Sequence, residues 1–166
     1  RRTQARGEGD DGEMKRVNAV LENELFRRAL AKIEEGEEGR VFCRHGLPHL
    51  LDTARIMSIL ALKEGKALSQ EEIYACALLH DIGRESGAEH ASKSAALAEK
   101  ILPQCGFDEK ESARICGAIA EHGHDKEGNS ALAELLCRAD RLSRPCFACA
   151  AAGDCYWIKK NAEIVI

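Results

Sequence analysis

Apolar residues recur every three or four positions along most of this chain, with polar residues between them, so the pattern predicts helices from about residue 15 almost to residue 145. Val17, Val20, Leu21, Leu25, Leu30 and Ile33 make the first stripe and predict one amphipathic helix over 15–35, closed near Gly36. Pro48 suits the first turn of a second helix over about 48–63, with Leu51, Ala54, Met57 and Leu60 on one face and Gly65 as its stop. Ser69 and Glu72 have the capping-box spacing, and a third helix follows through Ile73, Ala77 and Leu78 to His80 and Asp81. After a loop over 83–87, a fourth helix starts near His90 and carries Ala95, Leu97, Ala98, Ile101 and Leu102. Asp108 and Glu111 repeat the capping-box spacing and open a fifth helix that ends near His122. A sixth begins near Ser130, presents Leu132, Leu135 and Leu136, and brings Asp140 out in its last turn. Beyond Pro145 the period gives way to a Cys-rich loop, and no strand, internal repeat or interdomain linker is predicted.

The expected fold is therefore all-α, a compact single-domain bundle of about six helices. Composition agrees: 45% hydrophobic and 31% charged residues suit a globular chain, and only 4% aromatic residues favours helix over sheet. Residues 1–13 are polar and Gly-rich and read as a disordered tail or upstream extension, leaving 14–166 as the domain, with its Cys-rich segment at 145–157. The formal charge of -4 offers no broad basic surface for nucleic acid, so a phosphate ligand has to be met locally. No apolar run has the length of a membrane span or the character of a secretory signal, which predicts a cytoplasmic protein without a membrane partner. Eight cysteines without such a signal read as reduced thiols, some of them metal ligands.

Ligand-type residues fall near the ends of these helices: His49, the pair His80 and Asp81, His90, His122 and Asp140. Four of the chain's six histidines take ordered positions between amphipathic helices, the arrangement a metal site assembled in a bundle needs. Imidazole with carboxylate suits Mn, Fe, Co, Ni or Zn as one or two divalent ions. Arg84, Arg141 and Arg144 are candidates for substrate phosphate oxygens and equally for surface ion pairs. His45 and His124 are spare histidines beside two of the expected ligands, each open to three readings: a hydrogen-bond partner to a metal ligand, a proton donor to the leaving group, or an exposed residue.

Three segments, His49-Leu-Leu-Asp-Thr-Ala-Arg-Ile56, Ala77-Leu-Leu-His80-Asp81-Ile-Gly83 and Arg138-Ala-Asp140-Arg-Leu142, resemble in content and order the motifs of the HD-domain superfamily of metal-dependent phosphohydrolases. The resemblance implies that His49, His80, Asp81 and Asp140 bind one divalent ion. His90 and His122 resemble the extra histidines of the binuclear branch, in which the aspartate of the pair bridges two ions. It further implies catalysis at His80 and Asp81, with water acidified by metal attacking the phosphorus of a small phosphorylated substrate of nucleotide type. A diiron oxygenase of the same superfamily, and a non-catalytic metal- or redox-sensing nucleotide-binding module, remain open alternatives.

A second signal lies in Pro145-Cys146-Phe147-Ala148-Cys149 and, after a Gly-containing loop, Cys155. The two-residue gap lets Cys146 and Cys149 face one ion. Cys43, six residues before His49, is the expected fourth thiolate, because Cys146 lies six residues after Asp140. Zinc, an iron–sulfur cluster, or no ligand at all fit these four. Cys76, Cys105, Cys116 and Cys137 sit in helical patterns and read as packing residues.

Overall fold

The structure, a computed structural model, describes residues 14–122, 129–157 and 160–166; the expectations placed on 1–13, Gly123, His124 and Gly128 lie outside these. The described residues form helices α1 (Lys15–Glu22), α2 (Glu24–Gly36), α3 (Leu47–Lys63), α4 (Gln70–Leu79), α5 (His90–Ile101), α6 (Glu109–Glu121) and α7 (Ala131–Leu142), with short 3₁₀ turns at Arg84–Glu89, Pro103–Cys105 and Cys146–Ala148. Among the described residues there is no strand.

α4 is the centre of the bundle and packs against α3, α6, α1, α5 and α7. Its sequence explains that position, because Ile73, Ala75, Cys76, Ala77, Leu78 and Leu79 are apolar on every side and all fully buried. Each large side chain among them contributes about 1.5–3 kcal/mol by leaving water. That burial fixes where the helix ends, and His80 and Asp81 follow immediately, buried as well.

The first predicted helix is in fact two. Asn23 breaks it with an extended backbone (ψ 132°), and its side-chain oxygen accepts hydrogen bonds from the Leu25 and Phe26 amides, starting α2 afresh. Asparagine competes well for orphan helix donors, and the apolar period alone did not register it. The break lets Arg16 of α1 pair with Glu71 of α4 and Glu111 of α6 while its guanidinium lies 4.4 Å from the Phe107 ring centre.

The two capping boxes fare differently. Asp108 and Glu111 form theirs in full, with both bonds at 2.9 Å. Ser69 makes no side-chain cap, and Glu72 instead pairs with Arg114 at 2.7 Å, a charge partner from α6 that offers more than a single backbone amide. The loop predicted over 83–87 is largely taken up by a 3₁₀ turn, Arg84–Glu89, that runs on to the start of α5.

α5 reaches the centre through one close approach. A Cβ placed on Gly83 would stand 2.5 Å from the Ser94 amide nitrogen and 2.8 Å from the His90 carbonyl oxygen, so only glycine admits the first turn of α5 there. The Gly83 amide donates to Ser94 Oγ at 2.9 Å in the buried interior, which pins His90 beside His80 and Asp81.

Candidate metal centre

Two ligand sets meet at Asp81. His49, His80, Asp81 and Asp140 each offer one atom within 4.8 Å of the others, as do Asp81, His90 and His122. The Asp81 carboxylate divides between them. Its Oδ2 lies 3.7 Å from His49 Nε2 and 3.5 Å from His80 Nε2, while its Oδ1 lies 3.6 Å from His90 Nε2 and 3.3 Å from His122 Nε2. Asp140 Oδ1 completes the first set at 3.4 Å from His49 and 3.8 Å from His80.

Local structure settles which ring nitrogen faces inward. At the C-terminal ends of α4 and α6, His80 and His122 donate Nδ1–H to the carbonyls three residues back, of Ala77 at 2.7 Å and Ile119 at 2.6 Å. Both carbonyls lie in the last turn of their helix, where intrahelical donors run out, and the Ile119 carbonyl also takes the His122 amide at 3.2 Å. His90 does the same with Gly87 at 2.9 Å. In the first turn of α3, His49 Nδ1 donates to Ser143 Oγ at 3.1 Å, and that hydroxyl donates to the Asp140 carbonyl at 2.7 Å. All four imidazoles thus turn Nε2 toward the carboxylates, the orientation that a hydrogen bond at the other ring nitrogen imposes on metal-ligating histidines.

The donor set fits a metal. His49 Nε2 and His80 Nε2 are buried without a hydrogen-bond partner, and both are aimed at the Asp81 and Asp140 carboxylates. Burial pushes the Asp81 carboxyl up, but His80, His122, His49 and Arg84 outweigh it and hold it well below the usual carboxylate range. Asp140 is held low in the same way, against its burial, by His49 and His80. Burial pulls His49 down, yet Asp140 and Asp81 together raise it to about 9. Two buried carboxylates that draw a proton onto a neighbouring imidazole make a pocket that favours a cation.

Beside the centre lies an open cavity, lined in part by Arg40, Phe42, His45, Arg84, Arg144, Tyr156 and Trp157. Arg84 stands 3.5 Å from Asp81 Oδ1 and Arg144 3.2 Å from Asp140 Oδ2, so both link the cavity to the ligands. Arg144 also stacks on Trp157, 4.1 Å from its ring centre. Arg141 is not among the lining residues; its carbonyl accepts from Asn161 at 2.7 Å.

His45 proves buried rather than exposed, its ring edge-on to His49 at 5.3 Å. Glu37 accepts from its Nδ1 at 2.6 Å, and burial, then Arg84, depress it to about 4, so the ring is neutral near pH 7. Sequence reasoning missed Ser143, Ser94 and Glu37. Ser143 had one available signal, its place one turn past Asp140, where a hydroxyl reaches back to the Asp140 carbonyl.

The four cysteines of the second signal, Cys43, Cys146, Cys149 and Cys155, line one smaller adjoining cavity of about 240 Å³. All four are free thiols. Cys76, Cys105 and Cys116 are buried in the core as expected, and Cys137 is half-buried on α7.

Residues 46–144 match the HD domain model. The chain belongs to the HD-domain family. It is 36% identical to an uncharacterised protein of Clostridium beijerinckii over 91% of this chain and 99% of that protein. It is also 35% identical to ribonuclease Y of Pelobacter propionicus over 57% of this chain, and 30% identical to the bifunctional uridylyltransferase/uridylyl-removing enzyme of Erythrobacter litoralis over 56%. The matched region spans only 17% and 8% of those two longer enzymes. The crystal structure of a predicted HD superfamily hydrolase from an uncultured Thermotogales bacterium superposes with a TM-score of 0.57 at 27% identity, covering 76% of this chain and 65% of that one. Among the described residues of this HD domain, no helix is long and apolar enough to cross a membrane.

Proposed function

We propose that this HD domain is a metal-dependent phosphohydrolase acting on a small phosphorylated substrate of nucleotide type. The observation that carries the reading is the split of Asp81, with one carboxylate oxygen facing His49 and His80 and the other facing His90 and His122. In this reading His49, His80, Asp81 and Asp140 hold one divalent ion, and Asp81, His90 and His122 a second, drawn from Mn, Fe, Co, Ni or Zn. Such ions, when bound, acidify water and neutralise phosphate oxygens.

The chain's own residues supply the rest. Arg84 and Arg144, at the border of centre and cavity, take the non-bridging phosphate oxygens and orient phosphorus toward Asp81. Hydrolysis forms one bond from water oxygen to phosphorus and breaks the bond to the leaving oxygen, which takes a proton. His45, neutral with Nδ1–H committed to Glu37, presents Nε2 as a proton acceptor at the cavity wall. Phe42, Tyr156 and Trp157 in the cavity wall provide flat apolar surface for a base. A ribonuclease and a uridylyl-removing enzyme among the relatives fit a nucleotide-bearing substrate.

The test is a panel of nucleoside monophosphates, cyclic nucleotides and dinucleotides assayed with Mn²⁺, Fe²⁺ or Co²⁺. Hydrolysis that disappears in His80→Ala and Asp81→Ala is expected. No turnover across the panel, or turnover retained in both variants, overturns the proposal.

A further inference from the structure

Two segments more than a hundred residues apart bring four thiols to one cavity wall. Cys43 lies in the stretch between α2 and α3, whereas Cys146, Cys149 and Cys155 follow α7. Arg144 holds the second segment to the metal centre through Asp140, and Asn161 ties it further by donating to the Arg141 and Arg144 carbonyls at 2.7 and 2.8 Å.

As thiols these residues have little reason to gather. Sulfhydryl groups are weak hydrogen-bond donors, and the surrounding loop is built largely of alanine and glycine with a small apolar contribution. As thiolates they would repel one another. Burial raises the Cys43 thiol, and Cys146, Cys149 and Cys155 raise it further, against the pull of Arg144. A bound cation removes that conflict, since it takes up the four negative charges as the four protons leave to solvent.

Spacing distinguishes between metals. A single zinc ion with Zn–S bonds of about 2.3 Å in a tetrahedron holds its sulfurs about 3.8 Å apart. Among the described residues, no three of these four sulfurs all lie within 4.8 Å of one another, a looser grouping than one zinc ion's shell. A four-iron core, which takes one thiolate at each of four separate iron corners, accommodates that looser grouping.

We propose that Cys43, Cys146, Cys149 and Cys155 hold an iron–sulfur cluster in the wall of the cavity beside the His/Asp centre. Cys43, Cys146 and Cys155 line both the small cavity and the larger one, so the cluster adjoins Arg144, His45 and Trp157. It fixes the aromatic side of that pocket, where Phe42 and Tyr156 meet edge to face at 6.0 Å. Its bearing on substrate rests on the hydrolase proposal; its metal content does not.

The full chain, purified anaerobically and reconstituted with ferrous iron and sulfide, is to be analysed for iron, zinc and acid-labile sulfide. Its visible absorption is recorded alongside the emission of Trp157, the chain's single tryptophan. Iron and sulfide in equal amounts, broad visible absorption and quenched Trp157 emission are expected, all lost in Cys149→Ser and in Cys155→Ser but retained in His122→Ala. One zinc ion per chain that disappears in the same Cys variants overturns the cluster assignment. Wild-type protein with four titratable thiols at these positions and no sulfide overturns it outright, whether or not the Cys variants fold.

Discussion

Ser143 and His49 are joined by a hydrogen bond that decides the character of the metal centre. The serine hydroxyl donates to the Asp140 carbonyl at 2.7 Å, so it can only accept the Nδ1 proton of His49 at 3.1 Å. His49 therefore turns Nε2 toward Asp81 and Asp140. Removing the hydroxyl leaves the histidine free to choose its tautomer and rotation. Ser143→Ala is expected to weaken divalent-ion binding by about 10- to 100-fold with little change in fold. Isothermal titration with Mn²⁺ or Zn²⁺ checks it, and unchanged affinity would sink the role given to Ser143.

The division of the Asp81 carboxylate makes a stoichiometric prediction. Asp81→Ala should lose both ions, whereas His122→Ala should lose one and keep the other, because His49, His80 and Asp140 do not depend on the residue that caps α6. Elemental analysis of anaerobically prepared protein, counting metal beyond any held by thiolates, gives the answer. An Asp81 variant that retains one ion would show that the two sets do not share it.

Gly83 is where packing permits no side chain. Its virtual Cβ meets the Ser94 amide at 2.5 Å, the Lys93 Cβ at 2.7 Å and the His90 carbonyl at 2.8 Å, backbone that cannot swing aside. Gly83→Ala should cost about 1–3 kcal/mol or more in urea unfolding. It should also displace α5, so that affinity at the ion nearest His90 falls more than at its neighbour. Wild-type stability in the variant would mean that α5 is not seated as described.

Arg84 sits at the centre's edge yet contributes no ligand atom, which separates binding from metal content. Arg84→Met should leave bound metal unchanged and reduce kcat/KM on a phosphorylated substrate by about 10- to 100-fold, the loss of one charge-assisted contact of about 1.5–3 kcal/mol. A variant with full activity would return Arg84 to the ion pairs it makes with Glu37 and Asp81.

The start of α6 should be sensitive to acid. Arg16 holds the Glu111 carboxyl below its ordinary value, and the Glu111 amide does the same for Asp108. Groups depressed in the folded state stabilise it fully above their unfolded values and lose that contribution as pH falls through the folded ones. The melting temperature of the wild type should therefore drop between about pH 5 and pH 3, and Arg16→Met, melting lower at pH 7, should show a shallower drop. Parallel curves would place the acid sensitivity elsewhere.

The linear chain by itself determined the helical class, because apolar spacing near 3.6 residues leaves a helix no other way to bury its stripe. It also singled out His49, His80, Asp81, His90, His122 and Asp140 as candidate ligands, all near helix ends where a polar side chain can leave a core element. Asp108 and Glu111 were legible for the same reason, a capping box being local. Ser69 and Glu72 looked alike and were not, because Arg114 lies 42 residues away in sequence and outbid the cap.

Only the tertiary structure decided which oxygen of Asp81 faces which histidines, that Ser143 fixes the His49 ring, and that Gly83 is a point of contact between helices. That Cys43 joins three cysteines more than a hundred residues onward was already legible from its place six residues before His49, and the fold brings the four to one cavity. Each of these depends on distances of a few ångströms between elements remote in sequence. Helix periodicity carries direction around an axis and no information about which axis lies alongside.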